Sequence, residues 1–552
     1  MKYALGIDLG TTNSVIAIVK NPEQKPEIIP MGANDESLLQ SALYFSDING
    51  KSRVFFGSSA VNRGLNSGII DYFKQDFKRD IARDVESEAP NHVRVNSIIL
   101  SALILNEFKK RSDIVSMELG VDPIHDAVIT VPAYFTSEQR RATKNAGRLA
   151  DLNILRIINE PTAAAISYAH EKGVSGKVLV YDLGGGTFDV TVMDVDNHHY
   201  NILATDGNHR LGGIDFDKRL VKFIESKLEE QGLNMTMLSA KEKFQLRYQA
   251  EKIKIALSVD ETAFYETYTD QGAFGVEISR EEFRQQIADL LKDTMIKVQS
   301  TMTAAKINWD ELDHILLVGG STRMPLVREA IEAMSGQQPT YSINPDTIVA
   351  EGASIIANLI ANDAVSFEEE TDGQSTETQT GKMVIRDITS QGLGMLLRKS
   401  PQKDYPFVGD FFNKVVVARN TPIPTLKNYD IYAVSDGQDT FRVRITEGNY
   451  ENPLSVKPIL EIREQLAHPR RKGEKIAQIR FAFDTEQMVH IGVFDGLTGQ
   501  LINRYRINTE VESESHFVED DLSELKAVYD KFVQWLIFIV ELIGRLVRPS
   551  LI

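Results

Sequence analysis

Two glycine-rich turns, each placed where an apolar run ends in aspartate, constrain this chain more than any other feature. The first follows Ala4–Leu9 and reads Gly10-Thr11-Thr12-Asn13, after which the apolar run resumes from Val15 to Val19. The second lies inside Lys177–Val195, where VLVYDL leads into Gly184-Gly185-Gly186-Thr187 and then FDVTVMDV. Strand, tight polar turn, strand predicts a hairpin in each place. Asp8 precedes the first turn and Asp182 the second, so the hairpins match in chemistry as well as in shape. A duplication with so long a period predicts two similar lobes rather than a solenoid.

The rest of the chain surrounds these hairpins with mixed elements. Asp126–Pro132 reads as a buried strand, and Ser137–Ala150 as a helix with Ser137 at its N-cap. Ala240–Ser258 is a second, Lys- and Glu-rich helix, and His314–Val318 is a strand that runs into Gly319-Gly320-Ser321. Alternation of this kind predicts an α/β architecture. Asn362–Lys382 is almost free of apolar residues and reads as an acidic flexible linker. Beyond it, short alternating segments such as KVVVAR, FRVRIT and AQIRFAF, separated by turn residues, predict a β-sandwich. From about Glu519 the pattern becomes helical, with Leu522, Leu525, Tyr529, Phe532 and Leu536 on one stripe.

Glycines in such turns let backbone N–H groups approach a phosphate, because no Cβ stands in the way. The hydroxyls of Thr11, Thr12 and Thr187 can donate to phosphate oxygens, and Asp8 and Asp182 can hold Mg²⁺ through its waters. Two such hairpins face to face would grip a polyphosphate from both sides. Either turn alone could simply close a hairpin; the matched pair with its aspartates favours phosphate. Composition removes several rivals. A net charge of −17 over 552 residues repels a nucleic-acid backbone, so no nucleic-acid partner is expected. The absence of cysteine excludes thiol catalysis and Cys-ligated metals. Asp8 interrupts the N-terminus before a signal-peptide apolar core can form, which predicts a cytoplasmic protein.

Six segments together resemble the 70-kDa heat-shock chaperone family: GIDLGTTNS (6–14), TVPAYFTSEQRRATKNAGRLA (130–150), INEPTAAAISYA (158–169), YDLGGGTFDV (181–190), LGGIDFD (211–217) and LVGGSTRMP (317–325). They stand in the family's order and spacing over most of residues 1–361. The resemblance implies an actin-like ATPase domain of two lobes with a duplicated core, binding ATP or ADP with Mg²⁺. It implies that Gly10, Thr11, Thr12 and Asn13, with Gly184, Gly185, Gly186 and Thr187, are the phosphate loops, and that Asp8 and Asp182 organise the metal. Glu160 and Asp189 resemble the carboxylates around the attacking water, and Thr187 the hydroxyl beside the γ-phosphate. Gly212 and Gly213 resemble the residues that shield the phosphates. Glu251, Lys254 and Ser258 resemble the adenosine contacts, opposite Gly319, Gly320, Ser321, Arg323 and Asp346. Pro132 and Arg140 resemble the family's interdomain switch pair. For the catalytic lysine two positions compete: spacing falls between Lys74 and Lys78, while the Lys-Arg pair and the following isoleucine favour Lys78. Where the family has Thr-Pro-Ser before a strand, this chain has Leu39-Gln40-Ser41.

The resemblance continues more weakly past the linker. MVIRDITSQGLGM (383–395) resembles the interdomain linker and first strand, with Arg386 inside a normally apolar run. VVVARNTPIPT (415–425) and FRVRITEGN (441–449) resemble strands framing a peptide groove. Four units are therefore expected: an ATPase domain at 1–361, a linker at 362–382, a β-sandwich substrate-binding domain at 383–508 and a short helical tail at 509–552. The tail is shorter than the family's helical lid. Its apolar core, Trp535–Val540, is too short to span a bilayer and is expected to pack on its own β-domain as a lid remnant. The acidic Glu519-Asp520-Asp521 before it disfavours membrane contact. The implied activity is ATP-dependent chaperoning of extended peptide segments, with a J-domain co-chaperone and a nucleotide-exchange factor as partners. A nucleotide-regulated scaffold dedicated to one partner is the alternative.

Overall fold

The computed structural model describes residues 2–506 apart from 32–35, 49–50, 68–69, 84, 91–92, 197, 341–343, 368–381 and 399–410. The expected tail, 509–552, and most of the expected linker lie outside the described residues.

Both predicted hairpins form, and each nucleates a sheet. The first pairs Leu5–Asp8 with Asn13–Ile18, and the second pairs Gly176–Leu183 with Phe188–Asp196. In each sheet a parallel strand lies against the aspartate-bearing arm: Asp126–Val131 beside the first hairpin and His314–Val318 beside the second. The first sheet adds Asn153–Asn159 beyond that strand and Glu27–Ile28 at the other end. The second adds His199–Asn208 beside its hairpin. These are the two lobes of the actin-like arrangement. Nearly every residue of the inner strands is buried on both faces, which explains continuous apolar runs such as VLVY and HILLV.

Two helices, Glu160–Lys172 and Ile348–Ala361, cross between the lobes and form the floor under both sheets. Their closest approach is made by Gly352, where an added Cβ would stand 1.8 Å from the carbonyl oxygen of Ala163. The backbone offers no flexible side chain that could move aside. Gly352→Ala is therefore expected to cost about 3 kcal/mol or more, at the upper end of overpacking effects. Differential scanning calorimetry checks this; a melting temperature equal to the parent's would contradict the tight crossing.

Helix boundaries differ slightly from expectation. The helix at Ser137–Leu149 is capped by Thr136, not Ser137, because Thr136 and Gln139 exchange hydrogen bonds in a capping box. Ser137 is freed to accept the N–H of Val489 at 3.1 Å. Ala240–Ala256 is capped by Ser239 and Glu242 in the same way and ends two residues before Ser258.

The C-terminal half is the expected β-sandwich. One sheet orders Phe411–Val417, Leu393–Arg398, Gln438–Glu447 and Lys457–Arg470; the other orders Thr425–Tyr432, Lys475–Phe483, Val489–Asp495 and Leu501–Arg506. Met395, Ile445, Ile462, Ile479, Phe481 and Val493 fill the space between them.

This β-domain is docked on the two lobes. Met383–Arg386 enters the second lobe's sheet as a parallel strand beside His199–Asn208, burying Met383, Val384 and Ile385. Val365–Ser366, inside the segment read as linker, pairs in turn with Met383–Arg386. Across the interface Lys144 meets Glu486 at 2.6 Å and Arg419 meets Asp206 at 3.0 Å.

Candidate active site

The lobes leave one large cleft among the described residues, about 1020 Å³ in volume, and both glycine-rich turns open into it. They face each other closely. A Cβ on Gly185 would stand 1.9 Å from Thr12 Oγ1, and one on Gly186 would stand 2.5 Å from Thr11 Oγ1. The bare backbone thus forms a cradle that side chains would fill. Ser41 secures the first turn despite the altered Leu39-Gln40-Ser41 text: its hydroxyl donates to the Gly10 carbonyl at 2.8 Å and meets Ser14 Oγ at 2.8 Å.

Asp8 and Asp182 stand at the strand ends beneath these turns. Burial and the nearby Glu160 carboxylate raise Asp8 to about 7, although Lys78 and the Thr130 hydroxyl oppose them. Burial and Glu160 likewise push Asp182 well above the usual carboxylate range. Asp189 rises to about 8 for the same two reasons, and it accepts the N–H of Tyr134 at 2.9 Å. The buried Asp182 and Asp189 and the half-buried Asp8, under a cradle of bare backbone, fit a hydrated divalent cation and a polyphosphate.

The two competing lysines separate clearly. Lys78 is buried, lines the cleft and pairs with Glu160 Oε1 at 2.8 Å. Its ammonium also lies 5.5 Å above the Phe135 ring. Lys74 instead donates to the Asp71 carbonyl at 2.6 Å and is absent from the cleft lining.

At the opposite end Glu251, Lys254, Ser258, Gly319, Gly320, Ser321, Arg323 and Asp346 all line the cleft. Lys254 is tied to Asp217 at 2.8 Å, Ser321 donates to the Gly184 carbonyl at 3.0 Å, and Arg323 pairs with Asp346 at 2.6 Å. Asp189, Gly212 and Gly213 adjoin the residues that line the cleft. A Cβ on Gly212 would meet the Gly185 carbonyl at 2.6 Å, and one on Gly213 would meet Ser321 Oγ at 2.6 Å. Sequence reasoning missed Asp76, Arg79 and Asp215. The charges of the last two pair between the lobes, and no local spacing signals such a contact.

A path of contacts leads from this site to the β-domain. Asn159 immediately precedes Glu160 and donates its amide to Asp387 of the docked segment at 3.0 Å. Arg140, fully buried, donates to Asn159 Oδ1 at 2.5 Å and to the carbonyls of Ala133 and Phe135. Gln487 of the β-domain donates to Asp387 at 3.1 Å.

One family pattern, that of the Hsp70 protein, matches residues 65–530. The chain belongs to the Hsp70 family. Among its Hsp70-family relatives, "Chaperone protein DnaK" of Thermosipho melanesiensis is 34% identical over 90% of this chain and 79% of its own. "Chaperone protein DnaK" of Thermosipho africanus is 34% identical over 96% of this chain and 83% of its own. "Heat shock 70 kDa protein 7, chloroplastic" of Arabidopsis thaliana is 30% identical over 96% of this chain and 73% of its own. Among the described residues of this Hsp70-family chain, no helix is long and apolar enough to cross a membrane.

Proposed function

We propose that this Hsp70-family chain hydrolyses ATP in the cleft and thereby switches the affinity of its β-domain for extended apolar peptide segments. The observation that carries the reading is the adjacency of Asn159 and Glu160: one residue faces the docked segment, the next faces Lys78 in the cleft. Phosphoryl transfer depends mostly on positioning and charge neutralisation. Asp8 and Asp182 would hold a Mg²⁺ ion, which would supply neutralisation of the phosphate oxygens. Thr11, Thr12, Asn13 and the N–H groups of Gly185–Thr187 bind the phosphates, while Lys78 places a fixed positive charge beside them from the first lobe. Glu160 and Asp189 orient water and receive its proton, with Thr187 Oγ1 as a further hydrogen-bonding partner. Glu251, Lys254, Ser258 and the Gly319–Arg323 turn hold the nucleoside end.

A change at Glu160 is transmitted through Asn159 to Asp387, and so to the docked strand and the sandwich. Client peptides, a J-domain co-chaperone and a nucleotide-exchange factor follow as partners from the family. The release rate of a fluorescent extended apolar peptide tests the reading. Release at least about tenfold faster in ATP than in ADP, equivalent to about 1.4 kcal/mol of coupling, is expected. Equal rates in both nucleotides would contradict it.

Arg386 weakens the docking on which this switch depends. Among the described residues its hydrogen bond is a long one, 3.5 Å to Asn201 Oδ1, and its Nε is buried without a partner. Arg386→Leu is expected to stabilise the docked strand by about 1 kcal/mol, the low end of the cost of an unsatisfied buried donor. Hydrogen exchange at Met383–Arg386 should slow roughly fivefold. Faster exchange would show that the guanidinium stabilises docking.

A further inference from the structure

Hydrolysis as proposed requires Lys78 from one lobe and the Gly184–Thr187 loop from the other to hold a fixed geometry. The residue after Lys78 makes that joint. The guanidinium of Arg79 reaches from the first lobe to the second, where its Nε and Nη2 donate to the Gly186 carbonyl at 2.9 and 2.7 Å. Its Nη1 donates to Asp215 Oδ1 at 3.2 Å, and its Nη2 pairs with Asp215 Oδ2. The Arg79 side chain is only 10% exposed and that of Asp215 19%, so this pair is shielded far more than an ordinary surface bridge.

Asp215 carries the contact further. Its Oδ2 accepts the N–H of Gly212 at 3.1 Å, at the start of the helix Gly213–Glu230. In that same turn Gly213 N–H donates to the Gly184 carbonyl at 3.0 Å and Ile214 N–H to the Gly185 carbonyl at 2.8 Å. Burial alone would raise the Asp215 carboxyl; the Arg79 hydrogen bond and charge outweigh it and hold the group below its usual value. Asp80, next in the chain, accepts Arg210 at 2.9 Å and so adds a second crossing. One guanidinium therefore joins the lysine segment to the second phosphate loop and to the helix start behind it. Only a forked, planar donor can serve the carbonyl and the carboxylate together.

We propose that Arg79 is a positioning residue that holds the Gly184–Thr187 loop in register with Lys78. The inference rests on the ATPase reading for its effect on turnover, but its effect on nucleotide release does not. Single-turnover hydrolysis of Mg-ATP and dissociation of a fluorescent ADP are measured on the full chain. Arg79→Ala is expected to slow turnover about 10²-fold, the scale of a 1 Å misplacement, and to speed ADP release. Arg79→Lys keeps the charge but cannot form the fork, so turnover should remain slowed about tenfold or more. Asp215→Asn removes the charge and turns an NH2 toward an Arg79 N–H, so turnover is expected to slow about tenfold as well.

Slowed turnover in both Arg79→Lys and Asp215→Asn at a parental melting temperature separates positioning from bulk stability, which the conservative substitutions would leave unchanged. Parental turnover and release in Arg79→Lys would overturn the proposal even where Arg79→Ala fails to fold. A parent that binds ADP but hydrolyses no ATP would refute the ATPase reading, while release from the variants would still decide the clamp.

Discussion

Lys78→Ala is expected to lower single-turnover ATP hydrolysis by about 10²–10³-fold, the range for removing one preorganised charge from a transition state. The ammonium is buried and its partner is Glu160, so the substitution also strands that carboxylate beside Asp8, Asp182 and Asp189. Nucleotide should still bind, because the cradle of Gly10–Asn13 and Gly184–Thr187 is built from backbone and hydroxyls that do not depend on Lys78. Lys74→Ala is the matched control. Its lysine spends its hydrogen bond on the Asp71 carbonyl outside the cleft, so turnover within about twofold of the parent is expected. An active Lys78→Ala protein beside an inactive Lys74→Ala protein would reverse the assignment.

Asp387→Ala should separate the two halves of the protein functionally. Burial lowers Arg140 to about 10, and Asp387 is the strongest of the carboxylates that oppose this. Deleting it leaves a fully buried guanidinium short of compensation, and removes the acceptor shared by Asn159 and Gln487. Leaving buried donors without an acceptor costs about 1–3 kcal/mol apiece, enough to empty a docked state that is favoured by less. Hydrogen exchange in 383–388 should then accelerate at least about 10²-fold, while hydrolysis loses its response to peptide. Asp387→Asn retains the hydrogen bonds and should recover part of the docking. Unchanged exchange in Asp387→Ala would remove this residue from the coupling path.

Much of the cleft is legible in the amino-acid sequence because its parts are local. A hairpin with a glycine turn needs only consecutive residues, and the boundaries expected around Asp8 and Asp182 fall within a few residues of the strands observed. His314–Val318 is apolar on both faces and declares itself in the same way. What escapes is long-range. Arg79 and Asp215 lie 136 positions apart, and Asn159 and Asp387 lie 228 apart, so no spacing rule can pair them. The strand Met383–Arg386 reads as linker text, yet its apolar side chains acquire a sheet to join only after the second lobe has folded. Thr136 and Ser137 show the smaller failure, since either could cap the helix and only Gln139, three residues past Thr136, decides between them.

If the ATPase lobes and the β-domain act as one machine on many substrates, peptide in the sandwich must be felt at the cleft. The steady-state ATPase rate of the full chain, with and without a panel of unrelated unfolded peptides, tests this most directly. Stimulation by most apolar, extended members of the panel, abolished by Asp387→Ala, is the predicted result. A rate that responds to none of them, or to a single dedicated partner, would contradict it.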